Sequence, residues 1–184
     1  MSKYNMAWLL AANNNQERIK YLFFWGHQPQ QDGSIGKGCL SQWWESDFEV
    51  DGIIYPSAEH WMMAQKARLF GDEAIWQQII NSKSPAHAKK LGRQVQNFDN
   101  AIWEKHRMDI VVQGSLYKFG QQEAMKQYLL QTGQRVLVEA SPVDAIWGIG
   151  MAADHKNAYQ PEAWRGPNLL GFALMEARDL LNIS

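Results

Sequence analysis

The stretch "YPSAEHWMMAQKARLF", residues 55–70, decides how the rest of the chain is read. Pro56 and Ser57 supply helix-entry chemistry, because a serine hydroxyl can accept from the free amides of a first turn. At about 100° per residue, Met62, Met63, Leu69 and Phe70 fall on one side, the side due to face a core. Glu59 and Lys66 fall in the middle of that side. His60, Gln65 and Arg68 lie elsewhere, where a soluble helix keeps its polar groups. The rise between Glu59 and Lys66 is ~10 Å and helical side chains lean toward the N-terminus, so no tight pair between them is expected. A buried charge without a partner is costly, so each needs another. Two readings stand: pairing with groups elsewhere in the chain, or a polar cleft lined by this stripe. The cleft is the stronger reading.

Upstream, "DFEVDGIIYP" reads as a short hairpin turning at Asp51-Gly52, and "DGSIGKG" (32–38) as a flexible loop. Downstream, helical spacing predicts one helix in "DEAIWQQIIN" and another in "SPAHAKKLG", with Ser84 as cap, Pro85 at the first position and Gly92 at the end. A long helix starts near Asp99, a shorter one ends at Gly133, and "RVLVEA" is a strand. The C-terminal "NLLGFALMEARDLL" is a helix with Leu170, Leu174, Ala177 and Leu181 facing inward. The expectation is a mainly α, α+β fold: one helix-rich domain over 1–184, a short β-hairpin or small sheet, and a central cleft. It is not a doubly wound sheet.

The 184 residues, 46% hydrophobic, suffice for one proper core. Net charge is −1 with no long basic run, so no electrostatic grip on nucleic acid is indicated. No apolar run is long enough to cross a membrane. "MAWLLAA" echoes a secretion signal only faintly, and no cleavage pattern follows it. Cys39 is the one cysteine, which excludes an intrachain disulfide and favours a reducing compartment, the cytoplasm. Nine tryptophans give ample material for stacking on a heterocycle. Zinc and cofactor motifs fail on particulars. Ala64 stands where a zinc helix needs its second histidine, "GKG" is too short to cradle a nucleotide, and the glycines near 148–150 miss the dinucleotide fingerprint. No metal and no cofactor are expected.

Two further segments stand out. "SPVDAIWGIG" (141–150) puts a Ser-Pro turn, an acid, an aromatic and glycines on one loop. That suits a ligand cradle with Trp147 stacking on a ring, and equally an ordinary turn with Asp144 as its cap. In "RGPNLLG" (165–171), Asn168 either caps the last helix or offers a polar ligand contact.

With "SPAHAKKLGRQV", "YKF", "LLQTG", "LVEASPVDAIWGIG" and "NLLGFALMEAR" following in order, the chain resembles the NADAR family from about Phe23 to Leu181. The resemblance implies a helix-rich domain with a central cleft that hydrolyses the N-glycosidic bond between ribose and a base. In the YbiA-like branch the implied substrates are ribosylated pyrimidine phosphates, early intermediates of riboflavin biosynthesis. In other branches they are ADP-ribose adducts, including ADP-ribose on guanine, the only reading that brings in nucleic acid. The chemistry then assigns Glu59 and Asp144 as acid/base groups, Lys66 as nucleophile or electrostatic aid, and Trp147 as stacker of the base. Gly148 and Asn168 would hold ribose or phosphate through amides, and Arg93 would contact phosphate. The competing class is a module that binds ADP-ribose without cleaving it. Departures from the family pattern are Gln42-Trp43 after Ser41, Ile149 where a second acid is often found, and a long 151–164 segment.

Overall fold

The computed structural model describes residues 3–15 and 17–183; Met1, Ser2, Gln16 and Ser184, which the expected 1–184 domain includes, lie outside them. Its element order begins with α1 (Met6–Asn14) and β1 (Tyr21–Phe24), then the hairpin of β2 (Glu45–Val50) and β3 (Ile53–Ser57). There follow α2 (Ala58–Leu69), α3 (Glu73–Ile80), α4 (Pro85–Gly92), α5 (Asn100–Gly120), α6 (Glu123–Gln131), β4 (Val136–Glu139) and α7 (Leu169–Ile183). The fold is α+β, dominated by helix, with two separate two-stranded sheets.

The hairpin turns as its sequence requires. Asp51 and Gly52 have φ of 53° and 79°, the left-handed pair that matches the twist of two antiparallel strands. Strand β3 runs straight into α2, and its last residue, Ser57, accepts from the His60 amide at 3.3 Å. Helix α2 packs against α3, α4, α5 and its own hairpin, so it is buried on nearly every side rather than along one stripe. This corrects the expectation for His60, which is fully buried. Its Nε2 donates to the Ser82 carbonyl at 3.0 Å, so Nδ1 accepts from the Ser57 hydroxyl at 2.7 Å. Gly92 lets α4 approach α2 closely, since a Cβ there would fall 2.0 Å from the Met63 sulfur.

Strand β1 pairs in parallel with β4, Tyr21 opposite Val136 through Phe24 opposite Glu139. The crossover between them contains the hairpin and five helices, α2–α6. Val136, Leu137 and Val138 are buried beneath α7, whose Leu170, Leu174, Ala177 and Leu181 face inward as expected. "MAWLLAA" forms most of α1, capped by Asn5 accepting from the Trp8 amide at 2.9 Å, with Leu9 and Ala12 buried. Among the described residues no helix is long and apolar enough to cross a membrane.

Candidate active site

A cavity of ≈ 680 Å³ opens between α2, α4, the loop before β2 and the loop after β4. That size is ordinary for a small-molecule site. Helix α2 supplies Glu59, Met62, Met63 and Lys66 along one line. Glu59 is 3% exposed, and its amide is held by the Gln42 carbonyl at 3.0 Å. Burial pushes its carboxyl up to about 7, aided by the charge of Asp144 and opposed by Lys89, Arg93 and the Trp43 indole. Lys66 is half-buried and makes no ion pair with Glu59. Its Nζ donates to the Gly92 carbonyl at 2.8 Å and lies 4.4 Å from the Phe98 ring centre and 5.7 Å from that of Trp103. Burial and the nearby Arg93 both lower its pKa.

The loop after β4 closes another wall. Asp144 Oδ1 accepts from the amides of Ile146 and Trp147, each at 2.8 Å, and the Asp144 amide donates to Ser141 Oγ at 3.1 Å. The carboxylate therefore brackets its own loop, as the ordinary-turn reading has it, in a residue that also lines the cavity. Trp147 is half-buried on the same wall. Arg93, at the end of α4, lines the cavity beside Lys89 one turn earlier, giving three cations with Lys66.

Two sequence-derived site residues are placed otherwise. Asn168 is fully buried with φ of 54° and has no face on the cavity. Its Oδ1 accepts from the Glu139 amide at 3.0 Å and its Nδ2 donates to the Leu137 carbonyl at 2.9 Å, so the side chain ties α7 to β4 instead of meeting a ligand or capping the helix. Gly148 is buried behind the loop, where a Cβ would fall 2.7 Å from the Glu139 carbonyl oxygen. Its lack of a side chain permits this close packing against β4, and the residue does not line the cavity. Nor does segment 151–164 reach the cavity; Tyr159 packs edge-on against Tyr21 and Phe23 of β1, and Trp164 against Tyr21. Ile149 is a core residue.

The sequence did not point to Glu139, the last residue of β4, yet it lines the same cavity as Glu59. Burial pushes its carboxyl up to about 8, helped by the charges of Asp144 and Glu59. Its Oε2 is buried without a hydrogen-bond partner. Trp25, Trp43 and Trp103 join Trp147 in the lining, and Lys89 lies 5.9 Å from the Trp43 ring centre. Behind that wall the buried Lys118 donates to the carbonyls of Cys39 and Ser41 at 2.7 and 2.8 Å, fixing the loop that presents Gln42 and Trp43. Among the described residues no cluster of His, Cys, Asp or Glu could hold a metal ion.

Three carboxyls, two of them with raised pKa, face three cations and four indoles around one opening. This arrangement can move protons and seat an anion beside an aromatic ring. Residues 23–182 match the NADAR domain. The chain belongs to the NADAR family. All the cavity residues lie inside the NADAR segment. The NADAR chain is 42% identical over 168 residues to the N-glycosidase R617 of Acanthamoeba polyphaga mimivirus, covering 89% of this chain and 97% of the relative. It is 33% identical over 135 residues to the N-glycosidase YbiA of Escherichia coli, covering 73% and 76%. The solved NMR structure of E. coli YbiA superposes with a TM-score of 0.71 at 29% identity, covering 89% of this chain and 86% of that one. A riboflavin biosynthesis protein of Vibrio vulnificus is 30% identical over 144 residues, covering 78% of this chain and only 35% of the longer relative.

Proposed function

We propose that this cavity hydrolyses the bond between a ribose and a nitrogen base of a ribosylated aminopyrimidine phosphate. The chain is an N-glycosidase, a hydrolase of N-glycosyl bonds, as its viral and bacterial NADAR relatives are named. The observation that carries the reading is that Glu59 and Lys66, from one helix, face the same cavity as Trp147. Breaking a ribose C–N bond leaves positive, oxocarbenium-like character on the sugar. Ionised Glu59 stabilises that charge or draws a proton from the attacking water. Lys66, with its pKa lowered, either attacks C1′ as the free amine and opens the ribose as a Schiff base, or remains charged and steadies the leaving group. Trp147 stacks on the base. Arg93 and Lys89 receive the phosphate. Asp144 keeps the loop in shape and adds negative charge beside Glu59 and Glu139.

The name of the Vibrio relative supports an early riboflavin intermediate as substrate. A second reading, removal of ADP-ribose from guanine in nucleic acid, is favoured by one feature. Trp25 (56% exposed) and Ile146 (52% exposed) also line the cavity, apolar surface open to solvent on which a second ring could lie. We place the reaction in the cytoplasm, where the lone Cys39 stays reduced. Release of free base from ribosylaminopyrimidine phosphates, simple N-ribosides and ADP-ribosyl-guanine tests the reading. The pyrimidine phosphate should be cleaved fastest. Binding of ADP-ribose with no base released from any member would mean a binding module instead.

A further inference from the structure

We propose that Glu139 is the general acid of this site, giving its proton to the base nitrogen as the ribose C–N bond breaks. The inference rests on the N-glycosidase reading and goes beyond it, because Glu59 acts at the sugar and Lys66 either attacks C1′ or stays charged beside the leaving group, which assigns no group to give the departing base its proton. Among the described residues, Glu139 Oε2 is the buried carboxyl oxygen that lacks a protein hydrogen-bond partner, and its side chain lines the cavity. No protein acceptor holds a proton on this carboxyl, so a turn about its last side-chain bond presents the O–H to a ligand in the cavity.

The surroundings keep that proton on. Glu59 faces Glu139 from α2 and Asp144 from the loop after β4, both negative; Lys89 on α4 is the opposing cation. With burial, these raise the carboxyl well above its ordinary range. The backbone is fixed at both ends of the residue: its amide donates to Asn168 Oδ1 at 3.0 Å, and its carbonyl accepts from the Ile149 amide at 3.0 Å. Position and protonation are thus both set before substrate arrives. In the step itself the C–N electron pair goes to the base nitrogen, which takes the proton from Glu139. The water oxygen ends on C1′, directly or after a Lys66 adduct, and a water proton restores Glu139. The sum is riboside plus water giving ribose plus the free base, whose nitrogen carries the transferred proton, with the enzyme unchanged.

The test is a series of N-ribosyl pyrimidine phosphates whose ring substituents vary the basicity of the leaving nitrogen, assayed with wild type and Glu139→Gln. Wild type should depend weakly on that basicity, with a rate that falls at high pH as the acid ionises. Glu139→Gln should be slower by ~10²–10⁴ on the poorest leaving groups and least affected on the best, and should lose the high-pH fall. An equal loss across the series with the wild-type pH profile, or no loss, overturns the assignment while leaving the N-glycosidase reading intact. Failure of wild type to cleave any member overturns both. Melting curves establish that each variant is folded. If Glu139→Gln is not, Glu139→Asp, which retains a shorter carboxyl, should keep the high-pH fall at a reduced rate. A flat profile in that variant overturns the assignment.

Discussion

Asp144 shows how one side chain can hold a loop and charge a site together. Its Oδ1 takes two backbone amides, and an asparagine oxygen can take the same two. Asp144→Asn should therefore keep the loop and melting temperature while removing the charge that helps raise Glu59 and Glu139. The pH–rate profile should shift downward, because a carboxyl freed of a like charge ionises more easily. Asp144→Ala frees two amides as well and should lose stability, about 1–3 kcal/mol for each one left buried and unpaired. An unshifted profile in Asp144→Asn would make the residue a bracket and nothing more. Trp147→Ala should weaken binding of a base-bearing substrate ~5–150-fold, the equivalent of ~1–3 kcal/mol of stacking, measured as Kd against a ribose phosphate control that does not change. At this scale Glu59 and Lys66 stood out as charges on an inward stripe, Asp144 and Trp147 as an acid and an aromatic on one glycine-bearing loop, and Arg93 for the fit of its fork to phosphate; the cavity gathers all five. Glu139 did not stand out, because a polar residue at the end of a strand is unremarkable until the rest of the cavity is known.

At the scale of elements, the tie between α7 and β4 supports the site from behind. Asn168 is one of three non-glycine residues with positive φ among those described, and both ends of its amide are spent on β4. Asn168→Ala strands the Leu137 carbonyl and the Glu139 amide, at about 1–3 kcal/mol each, in a residue whose backbone asparagine tolerates better than alanine. Chemical melts should show the loss, and the folded fraction should turn over more slowly because Glu139 is no longer held. A melt equal to wild type would show that the tie carries no weight. Sequence reading took Asn168 for a cap or ligand contact because local pattern sees only the helix that follows it. The same limit hid β1: four residues, "YLFF", lack alternation, and their parallel partner lies on the far side of five helices. The hairpin and α2–α7 were legible because caps, turns and apolar spacing are local signals. Helix α2 misled in one respect. Packed on nearly all sides, it buries His60 as well as its apolar stripe.

At the scale of the whole molecule, the site works against stability. A carboxyl raised from 4.5 to about 8 in the folded chain keeps a proton that the unfolded chain has released between those values. The folded state then binds more protons, so the Glu139 contribution falls as pH rises across that window, at about 1.4 kcal/mol per pH unit. Glu139→Gln has no such proton. Its advantage over wild type should grow by roughly 3–5 kcal/mol between about pH 5 and about pH 9, read from urea melts of the two proteins side by side. Lys118, lowered to about 7 by burial, acts in the opposite sense but is common to both proteins and drops out of the difference. A difference independent of pH would mean that Glu139 is ionised in the folded protein. The claim on which the rest depends is that the face of α2 turned to the cavity breaks an N-glycosyl bond. Single-turnover release of free base from a ribosylaminopyrimidine phosphate, by wild type and by Lys66→Met, tests it most directly, since methionine is an unbranched apolar chain of nearly the same length and lacks the amine that lies over Phe98 and Trp103. Lys66→Met should fold and release base more slowly by ~10²–10⁴; release at the wild-type rate would remove α2 from the chemistry.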